Sequence, residues 1–462
     1  MDEKQLRIEF MSLITESHPG LTFEEYRDCC VFLLFYEYCC LKYDSLLEDR
    51  YKLKELVRTA LRGKLQIPSF LTFMENASAF IHLHNGYFYL RDFSFCRMLD
   101  EMHSQEKQKS YARFIRKIIK KIDSWNCDEL LYSHFPSLFH DLMIQFARAK
   151  KETYISDSCL NLYRLLFESV PCEGRNVFVP EFQYGILFDG SAPLQEGASP
   201  GEDLFLYGYE SNPVFLEIVR VLYFMRGASP ESVHLMEKGE WNELGLPPEK
   251  MDRVAVFMPD GVEAGNLILE SSRLPWNKDL LGSRSKGELP FVMSALPILE
   301  EKGTMAAILP SALLYREGKE SQIRRYLIQE LNCLETVILL PDQMFLSAGQ
   351  QEAMLFFRMN RDRKDIMFFD CTDQGNMGVP EFEHLKEVMD KRESIPGFSA
   401  CVDIEDIRKN DYNLNLPRYI AKTVRDMALD LEERKKRIAE IDRELTEIDQ
   451  KMIMYRRALE LV

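Results

Sequence analysis

Five cations, Arg113, Arg116, Lys117, Lys120 and Lys121, fall within one short stretch and could meet a phosphate backbone. They alternate with Tyr111, Phe114, Ile115, Ile118, Ile119, Ile122 and Trp125 at intervals of three and four. That spacing puts the basic residues on the polar face of an amphipathic helix. Such a face suits either contact with a nucleic-acid backbone or plain solvation. His82 and His84 alternate within Phe80–Leu90, which reads as a hairpin turning at Asn85-Gly86. Two imidazoles on one strand face begin a metal site, but no further ligand stands nearby, so they read as ordinary strand histidines. The eleven cysteines form no C-x-x-C pair, and Cys29-Cys30 and Cys39-Cys40 lie in an apolar, helical stretch. Buried reduced thiols are expected rather than a zinc site or a disulfide framework, which points to the cytosol.

Those groups sit in a chain of 462 residues with 58 Lys and Arg against 74 Asp and Glu, a net charge of −16. At 46% hydrophobic and 29% charged residues the chain is globular, and its length calls for two or three domains. The acidic balance excludes a protein that coats nucleic acid by bulk charge. It leaves room for a local basic groove, or for a complex whose partners supply the positive charge. The start, MDEKQLRIEF, has no apolar signal region, and the apolar run Val31 to Phe35 is too short to span a membrane. The expectation is a soluble cytoplasmic protein with no membrane partner.

Residues 1–150 read as a helical domain. Thr22, followed by Glu24 and Glu25, opens a helix that runs to Tyr43. From 151 to 420 short apolar strands alternate with helices. The strands are Val177–Val179, Leu204–Tyr207, Arg253–Phe257, Met305–Leu309, Thr336–Leu340, Ala353–Phe357 and Ile366–Phe369; Val214–Arg226 and Ser321–Leu331 are helical. This alternation predicts an α/β fold, a Rossmann-like domain with a largely parallel sheet and a ligand crevice at the strands' carboxyl ends. Over 421–462, Ile438, Ile441, Leu445, Ile448, Met452, Tyr455 and Leu459 keep a heptad seam. That seam predicts a coiled-coil assembly helix, or else one long helix packed on its own domain.

Local motifs narrow the class. Leu206-Tyr-Gly-Tyr-Glu-Ser-Asn-Pro213 resembles the L-Y-G-x-E-x-N-P segment of the modification subunits of type I restriction-modification systems. Lys302-Gly303 leading into Ala306–Pro310, and Ile323–Leu327 before Leu334–Pro341, are similar to further stretches of that family. Asp411-Tyr-Asn-Leu-Asn-Leu-Pro-Arg-Tyr419 is a close match to its D-Y-N-L-N-x-P-R-Y signature. The four motifs occur in the family's order, and the resemblance spans about 150–462. It implies an adenine-N6 DNA methyltransferase fold built to use S-adenosylmethionine.

The same resemblance marks two departures. The family's D-P-x-C-G-S-G cofactor loop aligns on Val179-Pro-Glu-Phe-Gln-Tyr-Gly185, which keeps only Pro180 and Gly185. Gln183 and Tyr184 would set side chains where bare backbone should approach the cofactor. The family's Asn-Pro-Pro-aromatic loop aligns on Phe257, Met258, Pro259 and Asp260. A phenyl ring at 257 cannot accept the adenine amine's hydrogen bonds, and a carboxylate at 260 cannot stack on a flipped base. Glu210 stands where the family's acid would hold the cofactor's ribose, and reads equally as a capping carboxylate.

These departures predict a catalytically degenerate methyltransferase-like subunit with no cofactor, serving assembly in a type I-like or DNA defence complex. Its partners would be an active methyltransferase subunit, a specificity subunit, or both. They would be held through Tyr412 to Tyr419 and the heptads Ile438 to Leu459, with DNA met only within the complex. The alternative is an active enzyme that uses S-adenosylmethionine through Glu210 and the adenine amine through Asp260. A third reading is a bare DNA-binding module using the Arg113 to Lys121 face.

Overall fold

The computed structural model describes residues 3–15, 20–85, 89–126, 133–150, 157–170, 175–182, 185, 187–188, 205–237, 247, 249–257, 288–341, 351–374 and 379–420, with Lys435, Ile438, Arg443 and Ile448 beyond them. The N-terminal third is helical: α1 (Glu3–Ser12), α2 (Phe23–Lys42), α3 (Leu53–Leu61), α4 (Ile67–Asn85), α5 (Ser94–Asp100) and α6 (Gln105–Ser124), then a helix over Phe135–Lys150. Thr22 starts α2 as expected. Its side chain accepts from the Glu25 N–H at 3.2 Å, and the Glu25 carboxylate accepts from the Thr22 N–H at 2.8 Å, so two orphan donors are satisfied reciprocally. In α6 the apolar residues from Tyr111 to Ile122 are buried, whereas Arg113, Lys117 and Lys120 are exposed.

One expected element is corrected. Residues 80–85 are the last turns of α4 rather than a strand, and Gly86 to Phe88 lie outside the described residues. Phe70, Leu71, Met74, Ala77 and Ile81 are buried at helical spacing, and that register carries through the histidines. Positions two apart on a helix lie on different faces, so the strand geometry expected for His82 and His84 is absent. Among the described residues no group of three or more His, Cys, Asp or Glu is placed to hold a metal ion.

Among the described residues nine strands form one sheet in the order β3-β2-β1-β4-β5-β7-β6-β8-β9. They are β1 (Asn176–Pro180), β2 (Phe205–Glu210), β3 (Val233–Glu237), β4 (Met251–Phe257), β5 (Leu299–Pro310), β6 (Leu334–Leu339), β7 (Glu352–Arg358), β8 (Asp365–Asp370) and β9 (Ser399–Asp403). The run from β3 to β5 is parallel, as is β6 with β8; β7 is antiparallel to both its neighbours and β9 to β8. The chain is therefore α/β with a largely parallel sheet and a helical N-terminal region. All seven strands expected from sequence are present, and the two edge strands β3 and β9 are additional.

Apolar packing continues across residue 150. A single apolar core runs from Phe32, Phe35 and Tyr38 of α2 into Leu216, Val219 and Phe224 of the Pro213–Met225 helix and on to one face of the sheet. The Tyr38 hydroxyl donates to the Met225 carbonyl at 2.9 Å, and the Lys42 ammonium lies 4.3 Å from the Phe224 ring centroid. Glu217 Oε1 accepts from both the N–H and the hydroxyl of Ser94 at 2.7 Å, capping α5 from across the junction. None of the nine described cysteines is in a disulfide, and eight are buried. Among the described residues no helix is long and apolar enough to cross a membrane.

Candidate cofactor and base site at the strand ends

Parallel strands bring Pro180, Glu210 and Phe257 to the same edge, at the carboxyl ends of β1, β2 and β4. The chain order reverses between β1 and β4, so this edge carries the crevice where an α/β sheet receives its ligand. After β1 the backbone turns sharply. Glu181 is left-handed at φ 46°, its N–H donates to the Tyr209 carbonyl at 2.8 Å, and the Gly185 N–H donates to the Phe182 carbonyl at 2.7 Å. A non-glycine residue in that region costs about 1 kcal/mol or more, offset here by what its side chain holds. The Glu181 carboxylate accepts from the Ser211 hydroxyl at 2.6 Å and from its N–H at 3.2 Å. It thereby ties the end of β1 to the end of β2.

Phe182 turns inward. It is 3% exposed, packs 5.6 Å from the Phe188 ring, and lies over Gly208 of β2. A Cβ on Gly208 would fall 2.6 Å from Phe182 Cδ1 and 2.8 Å from the Val179 carbonyl. The glycine is thus explained by the ring and the backbone above it. Gly185 has φ 74°, and a Cβ there would meet Val219 at 2.8 Å. Its bareness serves close packing against the Pro213–Met225 helix.

Glu210 ends β2 nearly buried, at 3% exposure, and its Oε1 accepts from the Asn212 N–H at 3.0 Å. Asn212 in turn caps the Pro213–Met225 helix, its Oδ1 accepting from the Val214 N–H at 3.0 Å. Phe257 ends β4 half-buried and packs on the main apolar core, opposite Ile308 of β5. The Tyr163 hydroxyl donates to the neighbouring Val256 carbonyl at 2.5 Å. Met258, Pro259 and Asp260 lie outside the described residues, as do Gln183 and Tyr184. Of the nine positions named from sequence at these loops, the structure therefore brings Pro180, Gly185, Glu210 and Phe257 to one edge. Glu181 and Phe182 were not singled out from sequence; the signal available was Gly208, whose partner only the β1–β2 register identifies.

The segment Asp411–Tyr419 is an internal clasp. Tyr412, Leu414 and Leu416 are buried, Tyr419 stacks 4.7 Å from Phe368, and the Leu414 N–H donates to the Leu314 carbonyl at 2.8 Å. Arg324 holds it from below, Nε donating to the Tyr412 carbonyl at 2.9 Å and Nη1 to the Leu313 carbonyl at 2.7 Å. Asp411, Pro417 and Arg418 stay exposed, and Asn413, Asn415 and Tyr419 are partly exposed. Of the heptads, Ile438 and Ile448 are described, both helical and 59% and 55% exposed; the others lie outside the described residues.

The fold is shared with known proteins. The crystal structure of the type I restriction-modification system methyltransferase subunit from Streptococcus thermophilus superposes with a TM-score of 0.73 at 17% identity, covering 91% of this chain and all of that one. The type I restriction enzyme MpnII methylase subunit of Mycoplasma pneumoniae is 32% identical over 161 residues, 33% of this chain and 29% of that protein. The type I restriction enzyme MjaVII methylase subunit of Methanocaldococcus jannaschii is 24% identical over 275 residues, 55% of this chain and 47% of its own length. The chain thus matches less than half the length of these two relatives. The family model for N-6 DNA methylases aligns with residues 174–427, from just before β1 to just past the Asp411–Tyr419 clasp. Since that span is more than half of the sequence, the chain belongs to the N-6 DNA methylase family.

Proposed function

We propose that the chain is a modification-type subunit of a type I-like DNA-modifying or defence assembly that has lost cofactor binding and base chemistry. The observation that carries this reading is Phe182 seated on Gly208, with Glu181 bound to Ser211 across the same strand ends. S-adenosylmethionine needs bare backbone at this turn and a carboxylate free to take two ribose hydroxyls. The residues here do not fit it: Gly185 is committed to Val219, Phe182 fills the space over β2, and Glu210 already accepts from Asn212. Phe257 supports the loss of base chemistry, because it carries no group to accept an amine's hydrogen bonds.

The role left to such a subunit is assembly. Exposed apolar side chains at Ile438 and Ile448 support a helix that waits for a partner, an active methyltransferase or specificity subunit. DNA would then be met inside the complex, with the Arg113 to Lys121 face as a local contribution. Calorimetric titration of the whole chain with S-adenosylmethionine tests the reading, and no binding is expected. Micromolar affinity would overturn it in favour of an active adenine-N6 DNA methyltransferase working through Glu210 and Asp260.

A further inference from the structure

A cavity of about 540 Å³ lies among the C-terminal ends of α2 and α6 and the start of α3, and shares no lining residue with the strand-end crevice. Lys52 on its wall is neutralised within the protein, 3.0 Å from both Asp44 and Asp49. Four other charged residues line the same space: Glu37, Asp123, Lys42 and Lys54. None of these four side chains forms an ion pair or hydrogen bond with another described residue. Lys42 rests on the Phe224 ring and Lys54 is solvent-exposed, so both signs of charge are held apart in one cavity. Ordinary surface charges either pair or stay fully hydrated. Glu37 does neither, and burial, reinforced by the Asp123 carboxylate, pushes its carboxyl up to about 8.

We propose that this cavity binds a small zwitterion, its ammonium between Glu37 and Asp123 and its carboxylate toward Lys42 and Lys54. The proposal is independent of the fate of the strand-end crevice. An arriving ammonium supplies the partner that Glu37 lacks and takes the place of its proton. The groups facing Glu37 are Tyr36 and Cys40 on its own helix, Asp44 in the following turn, Lys54 of α3 and Asp123 of α6. Of these, Lys54 alone favours the ionised carboxylate.

Isothermal titration of the whole chain with 4-aminobutanoate tests this, with the dication 1,4-diaminobutane and the anion butanoate as arms that carry charge of one sign only. The zwitterion is expected to bind with a submillimolar Kd, and each one-sign arm at least about tenfold more weakly. Affinity should rise about tenfold between pH 7 and pH 9 as Glu37 no longer has to give up a proton. Glu37→Gln and Lys54→Ala should each cost about tenfold or more; the second is a surface change that leaves the fold intact. A diamine binding as tightly as the zwitterion overturns the proposal. Unchanged affinity in Lys54→Ala does so too, as does the absence of heat with all three compounds.

Discussion

Glu217 shows how much a single carboxyl can impose on this protein. Burial pushes it up to about 7, and the two hydrogen bonds from Ser94 offset only part of that. Its pKa is thus higher folded than unfolded, so the folded chain holds the proton more tightly. Stability is full below about pH 4.5 and falls until the pH passes the folded value. Glu37 adds the same trend up to about 8. Urea denaturation should therefore show a loss on the order of 1–3 kcal/mol between pH 5 and pH 8. Glu217→Gln keeps an oxygen that can accept both Ser94 bonds, because both fall on one atom, and should flatten the lower part of that slope. At the strand ends, Gly208→Ala would drive a methyl into Phe182 and the Val179 carbonyl and should cost about 2–4 kcal/mol. Phe182→Ala should cost about 3 kcal/mol as a cavity. The double variant should cost less than the sum, because removing the ring frees part of the space that the methyl needs. Strict additivity in the denaturation midpoints would show that the ring and the glycine are not coupled.

Among the elements, the clasp at Asp411–Tyr419 is built around a cation, Arg324, whose hydrogen bonds go to backbone carbonyls. Asp411 and Tyr412 are both left-handed, at φ 52° and 56°, and Arg324 satisfies the Tyr412 carbonyl just where the chain is strained. Burial pulls the guanidinium down to about 10, so it stays charged at neutral pH. Arg324→Met should cost about 2–4 kcal/mol, since two carbonyls would stay buried without donors. Limited proteolysis should then cut first within the released clasp. The elements also show how far sequence reaches. The internal strands were legible because both faces of a parallel sheet are covered, which forces continuous apolar runs such as Ala306–Leu309. The edge strands Val233–Glu237 and Ser399–Asp403 mix polar and apolar residues and gave no such run. The end of α4 was misread because Phe80–His84 fits a period of two as well as 3.6 when taken alone. Only the preceding turns decide it. In the candidate site, Phe257 and the altered turn could be read from the order of residues. The contact of Phe182 with Gly208 could not, because it depends on a register between strands separated by some 25 residues.

At the scale of the whole molecule, the continuous core makes the helical region part of the fold. Residues 151–420 expressed alone would expose Phe224, Leu216 and their neighbours, which α2 and α5 now cover. That fragment should be insoluble or bind hydrophobic dyes, whereas the full chain should melt in one cooperative transition. Removing residues 438–462 should leave that transition unchanged and abolish association with a partner subunit. Full-affinity association of the truncated chain would refute an assembly role for the heptads.

The antiparallel strand β7 sits between β5 and β6, both of which precede it in the chain. Synthesis therefore reaches β6 before anything exists to join it to the sheet. A nascent chain paused short of Glu352 holds a nearly complete parallel sheet with an open edge at β5 and a loose apolar strand beside it. Such an edge invites pairing with other chains. Completion of β7 (Glu352–Arg358) thus closes the interval in which this protein is most prone to aggregate. Chaperone capture during translation should peak there.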